Sequence, residues 1–295
     1  MYSPTAKGYF SGAGGMEIGM MQAGIKMVQS LDLDKDATDC MLANPQYFNH
    51  SVLNADIKDI TVRAQERTDI IVGTYPCTKY SPIADIHGTR TGDDLYLHFF
   101  RHMAIEQPEV FIIENVPGMR KFPVVMEAMT QLPNYYMNIF CPVDACNWLP
   151  QKRKRLILAG TKKPFIMSAP GRSDNIPRIA DILEKDPVIN IPDYVVSRIN
   201  GAYRDRPIIV NPDDPNAIAP TCVAHYAKDL GTRMVVDRRS PCGLRPFTIR
   251  EYARLQGFPD DYYFPNKSSS YRLIGNAVAV DMGRWIGEEI IKYFN

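Results

Sequence analysis

Two side chains in this sequence could make and break bonds to an aromatic ring. Cys77 stands in GTYPCTKYSP, behind Pro76 and just after the apolar run Ile70-Ile71-Val72, and Glu114 follows the apolar run Val110-Phe111-Ile112-Ile113. A thiolate is a strong nucleophile, and a carboxyl group can give or take a proton as a bond forms. Neither assists hydride transfer to a nicotinamide. Together they suit a ring that is attacked at one carbon so that another carbon becomes nucleophilic. Singly, each has an ordinary structural reading, as a small buried thiol or as a carboxylate paired with arginine. Their position favours chemistry, because open α/β sheets collect their reactive groups at the carboxyl ends of strands.

The elements that must hold these groups are legible in the first 120 residues, where short apolar runs alternate with longer amphipathic stretches. A first strand over KGYF (7–10) leads into the glycine-rich SGAGG and a helix through MEIGMMQAG. KMVQSLDLD reads as a second strand, followed by a helix from Lys35 to Leu42. A third strand ends just before Asp56, a fourth covers 69–73 and a fifth 109–113, with helical periodicity in DDLYLHFFRHMAIEQ between the last two. This alternation predicts an α/β fold with a mostly parallel sheet and helices on both faces. The five strand ends then carry Ser11-Gly12-Ala13-Gly14-Gly15, Asp32, Asp56, Pro76-Cys77 and Glu114-Asn115. The glycine loop lets backbone approach a ligand closely, and the helix behind it favours negative charge. It is not a full G-x-G-x-x-G, since Glu17 occupies the third glycine position. Asp32, about twenty residues on, suits a ribose hydroxyl. On these two features alone NAD and S-adenosylmethionine are both open, as is a plain structural turn.

With 295 residues, 45% hydrophobic and 23% charged, the chain has the composition of a soluble globular protein. No apolar run approaches the length of a membrane span, and MYSPTAKGYF lacks the apolar core of a secretory signal. Six cysteines without a signal suggest reduced thiols in a cytoplasm. A net charge of +1 hides an uneven distribution, because residues 151–250 carry about eight more basic than acidic side chains. That segment could bind a polyanion, with a solvated basic face as the plain alternative. After about residue 164 prolines recur and periodicity fades, which predicts a second, smaller domain of irregular and β character. Regularity returns at TIREYARLQGFPD, where Thr248 and Glu251 form a capping-box pattern, Gly257 marks the helix end and Pro259 follows. GNAVAVDMGRWIGEEIIKYF reads as one last amphipathic helix. His98 and His102 lack the glutamate of H-E-x-x-H, and Cys40, Cys141, Cys146, Cys222 and Cys242 lack C-x-x-C spacing, so no metal site is expected.

Over nearly its whole length, least so in the proline-rich segment, the sequence resembles the DNA (cytosine-5) methyltransferase family. Phe10-Ser11-Gly12-Ala13-Gly14-Gly15 is similar to the family's cofactor loop, Pro76-Cys77 to its nucleophile motif and Glu114-Asn115-Val116 to its ENV motif. Gln151-Lys152-Arg153-Lys154-Arg155 matches its Q-x-R-x-R pattern. Arg250-Glu251 through Arg254-Leu255-Gln256-Gly257-Phe258-Pro259-Asp260 matches the run after its recognition domain, and Gly275-Asn276-Ala277-Val278 its final motif. Three departures stand out. The family's usual glycine-glycine-proline-proline-cysteine-glutamine is here Gly73-Thr74-Tyr75-Pro76-Cys77-Thr78. The usual Glu ending the second strand is Asp32, and the proline after the final motif is Ala279. They concern the shape of loop and pocket, not the reaction class.

The resemblance implies a Rossmann-like S-adenosylmethionine-dependent methyltransferase domain over 1–164, completed by 263–295, with a target-recognition domain and hinge over 165–262. It implies methylation of C5 of cytosine in a specific sequence of double-stranded DNA, by a cytoplasmic, nucleoid-associated monomer of a bacterial or phage modification system. A cognate restriction endonuclease is a candidate partner. Cys77 would add to C6 of the cytosine, while Glu114 holds the N3 and N4 edge and protonates N3. Arg153 and Arg155 would grip the base oxygen or position Glu114. C5 would then take the sulfonium methyl, and loss of the C5 proton would release the cysteine. A base inside a stacked duplex is out of reach of such groups and must flip out. For the cofactor, Phe10 would stack near it, Asp32 would take its ribose, Asp56-Ile57 would meet its adenine, and Leu33 would also belong to the site. Ser11, Gly12, Gly14, Gly15, Pro76, Leu95 and Asn276-Ala277-Val278 would complete the site. Thr78 to Asp94 resembles the family's mobile loop that closes over DNA. Two other readings stay open: C5 methylation of RNA by the same chemistry, and a non-catalytic DNA-binding regulatory relative. Retention of Cys77, Glu114 and both arginines speaks against the second.

Overall fold

Strands buried on both faces are apolar at nearly every position, and Ile70-Ile71-Val72 and Val110 through Ile113 are fully buried. The computed structural model, which describes residues 2–64, 66–76, 95–188, 191–201 and 207–295, places them in the middle of a seven-stranded sheet. β1 (Thr5–Tyr9), β2 (Lys26–Asp32), β3 (Ser51–Asn54), β4 (Ile70–Gly73) and β5 (Val110–Asn115) are parallel. β7 (Lys154–Thr161) runs antiparallel between β5 and β6 (Tyr136–Asp144). The order is β3-β2-β1-β4-β5-β7-β6, so the direction of winding reverses between β1 and β4. Ligands of open α/β sheets bind at such a switch point, beyond the carboxyl ends of the strands.

The helices are α1 (Gly15–Gln22), α2 (Lys35–Leu42), α3 (Leu95–Glu106), α4 (Pro123–Thr130), α5 (Ile179–Ile182), α6 (Asp193–Asn200), α7 (Ile249–Leu255), α8 (Lys267–Asn276) and α9 (Val280–Phe294). The period-2 alternation of the strands divides the core. Ile70, Val72, Val110 and Ile112 pack with Met16 and Met20 of α1 and with Met282, Trp285 and Ile286 of α9. Ile71, Phe111 and Ile113 face the other way, onto Phe99 and Met103 of α3 and Met129 of α4. α1 and α9 meet backbone to backbone: a Cβ on Gly19 would lie 2.2 Å from Val280 O, and one on Gly283 would lie 2.7 Å from Met16 O. The C-terminal helix thus belongs to the large sheet.

The parallel sheet with helices on both faces, and the helix over 35–42, agree with expectation. β1 stops at Tyr9, and Phe10 takes a left-handed backbone instead (φ 64°). The single last helix is a correction. A separate α8 ends at Asn276, Ala277 to Ala279 are extended or irregular, and α9 begins at Val280. The Asn266 side chain accepts a hydrogen bond from Ser268 N and so starts α8. The break after it is fixed by distant partners, since Val280 N donates to Gln256 O (2.9 Å).

Between these parts lies a small sheet in which β9 (Arg233–Val236) pairs in parallel with β8 (Ile208–Val210) and antiparallel with β10 (Leu244–Pro246). Its Val210 and Val235 share one buried cluster with Tyr226 and Tyr252, with Ala37 and Met41 of α2, and with Leu273 of α8. The capping box of α7 is complete: Glu251 N donates to Thr248 Oγ1 (3.2 Å) and Thr248 N to Glu251 Oε2 (2.9 Å). Gly257 follows with φ 79°, where glycine is the natural residue. Among the described residues, no helix is long and apolar enough to cross a membrane.

Candidate active site

The carboxyl ends of β1, β2, β4 and β5, with the loop after β3, open onto one cavity of about 560 Å³. Its wall includes Phe10, Ser11, Gly12, Asp32, Leu33, Asp56, Ile57, Pro76 and Leu95, together with Asn276-Ala277-Val278 from the break between α8 and α9. Glu114 and Arg155 line it as well. Residues from opposite ends of the chain therefore meet at the topological switch point.

Each group has a local cause. Asp32 ends β2 and accepts hydrogen bonds from Gly12 N (2.7 Å) and Asp34 N (2.8 Å), so its carboxylate ties the glycine loop to the turn before α2. Burial raises its pKa, while those two backbone bonds oppose the rise. Gly14 and Gly15 are not on the wall. Gly14 caps α1 at φ 75°, and a Cβ on Gly15 would lie 2.2 Å from Val278 O, so this glycine admits the final motif against the loop. Asp56 accepts from Lys58 N (2.9 Å), and Arg101 of α3 donates to Ile57 O (2.7 Å) and Ile60 O (2.9 Å), which holds this loop at the rim.

Glu114 lies inside β5 rather than after it. In the antiparallel β5–β7 pair it is opposite Ile157, so Arg155, two residues along, projects from the same face. The result is an ion pair, Arg155 Nε to Glu114 Oε1 at 2.7 Å, with both side chains largely buried. Arg153 does not join them. It is 1% exposed, and its guanidinium donates to Cys222 O (3.0 Å), Gly275 O (3.0 Å) and Ala277 O (2.7 Å). Burial lowers its pKa to about 9, with the nearby Arg155 acting in the same sense. Sequence reasoning had both arginines grip the base oxygen or position Glu114; in the fold Arg155 meets Glu114, and Arg153 clamps three carbonyls. Gln151 and Gln256 act in the same way. Gln151 Nε2 donates to Leu255 O (2.7 Å), its Oε1 accepts from Cys222 N (2.9 Å), and Gln256 Nε2 donates to Ile274 O (2.7 Å).

Cys77 and the segment Thr78–Asp94 lie outside the described residues. Pro76, directly before the thiol, is on the cavity wall, and Asn115 Nδ2 donates to Tyr75 O (3.1 Å), which secures that loop to the end of β5. Asp34, Lys58 and Thr74 also line the cavity. Sequence reasoning passed over the first two as site residues and noted Thr74 only as a departure. Glu17 is buried beneath the loop, with Oε2 unpartnered and Oε1 in the space a Gly8 side chain would need. Burial raises its pKa to about 7. His102 is a buried core histidine, bonded to Tyr9 OH (3.0 Å) and beside Arg101.

Comparison with known proteins gives this geometry its context. The sequence model of the family C-5 cytosine-specific DNA methylase matches residues 8–208 and 213–292. The type II methyltransferase M.SsoII of Shigella sonnei is 30% identical, over 96% of this chain and 79% of its own length. M.Sau96I of Staphylococcus aureus, another type II methyltransferase, is 27% identical over 97% of this chain and 75% of its own. In fold, the chain is similar to the Entamoeba histolytica methyltransferase EhMeth, with a TM-score of 0.82 at 17% identity over the whole of both chains. A putative DNA modification methyltransferase encoded within an Escherichia coli prophage follows at 0.74 and 21% identity, over 99% of this chain and 100% of its own. The cavity's size and its paired features, an anchored carboxylate at a strand end beside a glycine loop, fit a nucleoside cofactor. The chain belongs to the C-5 cytosine-specific DNA methylase family, and is a DNA (cytosine-5) methyltransferase dependent on S-adenosylmethionine.

Proposed function

We propose that the cavity is where one cytosine of a DNA duplex, flipped out of the stack, meets the cofactor, and that the reaction runs through a covalent bond between Cys77 and C6. The observation that carries this reading is the Arg155–Glu114 pair opening onto the same cavity as Phe10, Asp32 and Pro76. Phe10 would lie against the cofactor, Asp32 would accept from its ribose, and the Asp56-Ile57 loop would border its adenine. When bound, S-adenosylmethionine supplies an electrophilic methyl group on sulfur. The chain's own groups do the rest. Cys77 adds to C6 and makes C5 nucleophilic; Glu114, oriented by Arg155, donates a proton at N3 as charge develops in the ring. Arg153 contributes by holding the final motif in place rather than by touching the base.

Residues 1–164 with 263–295 would form the catalytic unit, and 165–262 would read the DNA sequence. The type II relatives favour a modification enzyme partnered by a restriction endonuclease. The test is tritium-labelled methyl transfer to duplex DNA and to tRNA, with wild type and Cys77→Ser. Duplex DNA should be the acceptor, and the variant should lose transfer while keeping cofactor affinity. With S-adenosylmethionine present, wild type should also form a stable adduct with DNA carrying 5-fluorocytosine at the target, because after methyl transfer that fluorine cannot leave as a proton and the cysteine is not released. Turnover by Cys77→Ser above a few per cent of wild type, or no adduct at a verified target site, would defeat the covalent route. Transfer to tRNA alone would move the substrate to RNA.

A further inference from the structure

Phe10 is the only non-glycine residue of the described cavity wall with a left-handed backbone. That conformation is disfavoured for an aromatic residue, because Cβ crowds the neighbouring carbonyl. It persists only where the surroundings over-determine it. Here the peptide groups on both sides of Phe10 are held. Thr74 N donates to Tyr9 O (3.2 Å), and Ser11 N donates to Leu31 O (3.0 Å). The carbonyl of Phe10 itself accepts from a side chain, Thr74 Oγ1, at 2.8 Å. The Phe10 ring meets Tyr75 edge-on with centroids 6.1 Å apart, and Tyr75 is buried with its carbonyl bonded by Asn115. Thr74 and Tyr75 are the two positions before Pro76 where the chain departs from glycine-proline, and a glycine at 74 would carry no hydroxyl.

We infer that the Thr74 hydroxyl is a positioning group for cofactor binding: by holding the Phe10 carbonyl, it keeps the Phe10 ring at the cavity wall. Thr74 touches the loop, not the reacting atoms, so its effect falls on affinity rather than on turnover. This rests on the reading above, in which the cavity takes S-adenosylmethionine against Phe10.

Thr74→Val keeps the branched shape and deletes the donor, whereas Thr74→Ser restores it. S-adenosylhomocysteine is titrated calorimetrically into each full-length variant, and steady-state rates are measured at varied S-adenosylmethionine on duplex DNA. Loss of one hydrogen bond should raise the dissociation constant and KM about 3- to 10-fold in Thr74→Val, with kcat at saturating cofactor and DNA affinity retained. Thr74→Ser should stay within about 2-fold of wild type. Thr74→Ala, also without the donor, is measured beside them, so that one folded variant suffices. A Thr74→Val or Thr74→Ala protein that binds S-adenosylhomocysteine as tightly as wild type overturns the inference. So does a Thr74→Ser protein as weak as Thr74→Val, or a fall in kcat with affinity unchanged. Phe10→Ala separates the two levels: unchanged affinity there would sink the cofactor site itself, while a loss there with none in Thr74→Val removes only the role of Thr74.

Discussion

Replacing Arg153 by methionine should unfold this protein more readily rather than stop its chemistry. Methionine matches the length of the arginine stem and leaves no donor. Three bonds from a charged group to carbonyls are lost, those to Cys222, Gly275 and Ala277. Ala277 O keeps a partner, because Gln256 Nε2 also donates to it at 3.1 Å. Two buried carbonyls then lose this partner, at about 1–3 kcal/mol each. Part of that is offset, since the variant no longer buries a charge. A net loss of about 2–5 kcal/mol follows, a large share of the roughly 5–15 kcal/mol that stabilises a typical protein. In urea, followed by the fluorescence of Trp148 and Trp285, the midpoint should fall by about 1 M. Arg155→Met, which breaks the ion pair at the cavity, should shift the midpoint much less and lower kcat instead. An Arg153→Met protein as stable as wild type, with kcat as low as that of Arg155→Met, would refute the assignment and put both arginines at the base.

Glu114→Gln keeps the size of the side chain and removes the carboxyl proton, so kcat should fall about 10²–10⁴-fold with DNA affinity little changed; a rise in KM at constant kcat would make Glu114 a binding residue only. DNA binding should weaken steeply with salt if residues 165–262 make the phosphate contacts, and a flat dependence in a filter-binding titration would argue against that. Glu17 gives a pH dependence. Its pKa rises from an ordinary 4.5 to about 7 in the fold, so between those values the unfolded chain releases a proton that the folded chain keeps. Stability should therefore be greatest below about pH 4.5 as far as this group is concerned, fall as pH rises to about 7, and then level off, by at most about 3 kcal/mol. Thermal melts of Glu17→Gln should lack that component, and identical pH profiles for variant and wild type would exclude it.

The sequence by itself determined the order of the first five strands and which residues stand at their carboxyl ends. Local periodicity marks buried parallel strands, and such strands bring their carboxyl ends to one edge, so Ser11, Asp32, Asp56, Pro76 and Glu114 could be assigned to one site before any coordinate, and Phe10 by its resemblance to the family's cofactor loop. Partnerships across long stretches of chain were not legible. Arg153 and Arg155 sit two residues apart in one motif and are chemically identical. They part because β7 begins at Lys154, which leaves Arg155 in register beside Glu114, while carbonyls 69, 122 and 124 residues away claim Arg153. The break between α8 and α9 was hidden for the same reason. Ala277, Val278 and Ala279 carry no strong helix-stopping residue, and it is Arg153 and Gln256 that draw the chain out of helical geometry there. Nor does anything local announce that the Thr74 hydroxyl would meet the Phe10 carbonyl, 64 residues away. Side-chain periodicity encodes which face a residue takes; which distant carbonyl it satisfies is decided only when the sheet has closed.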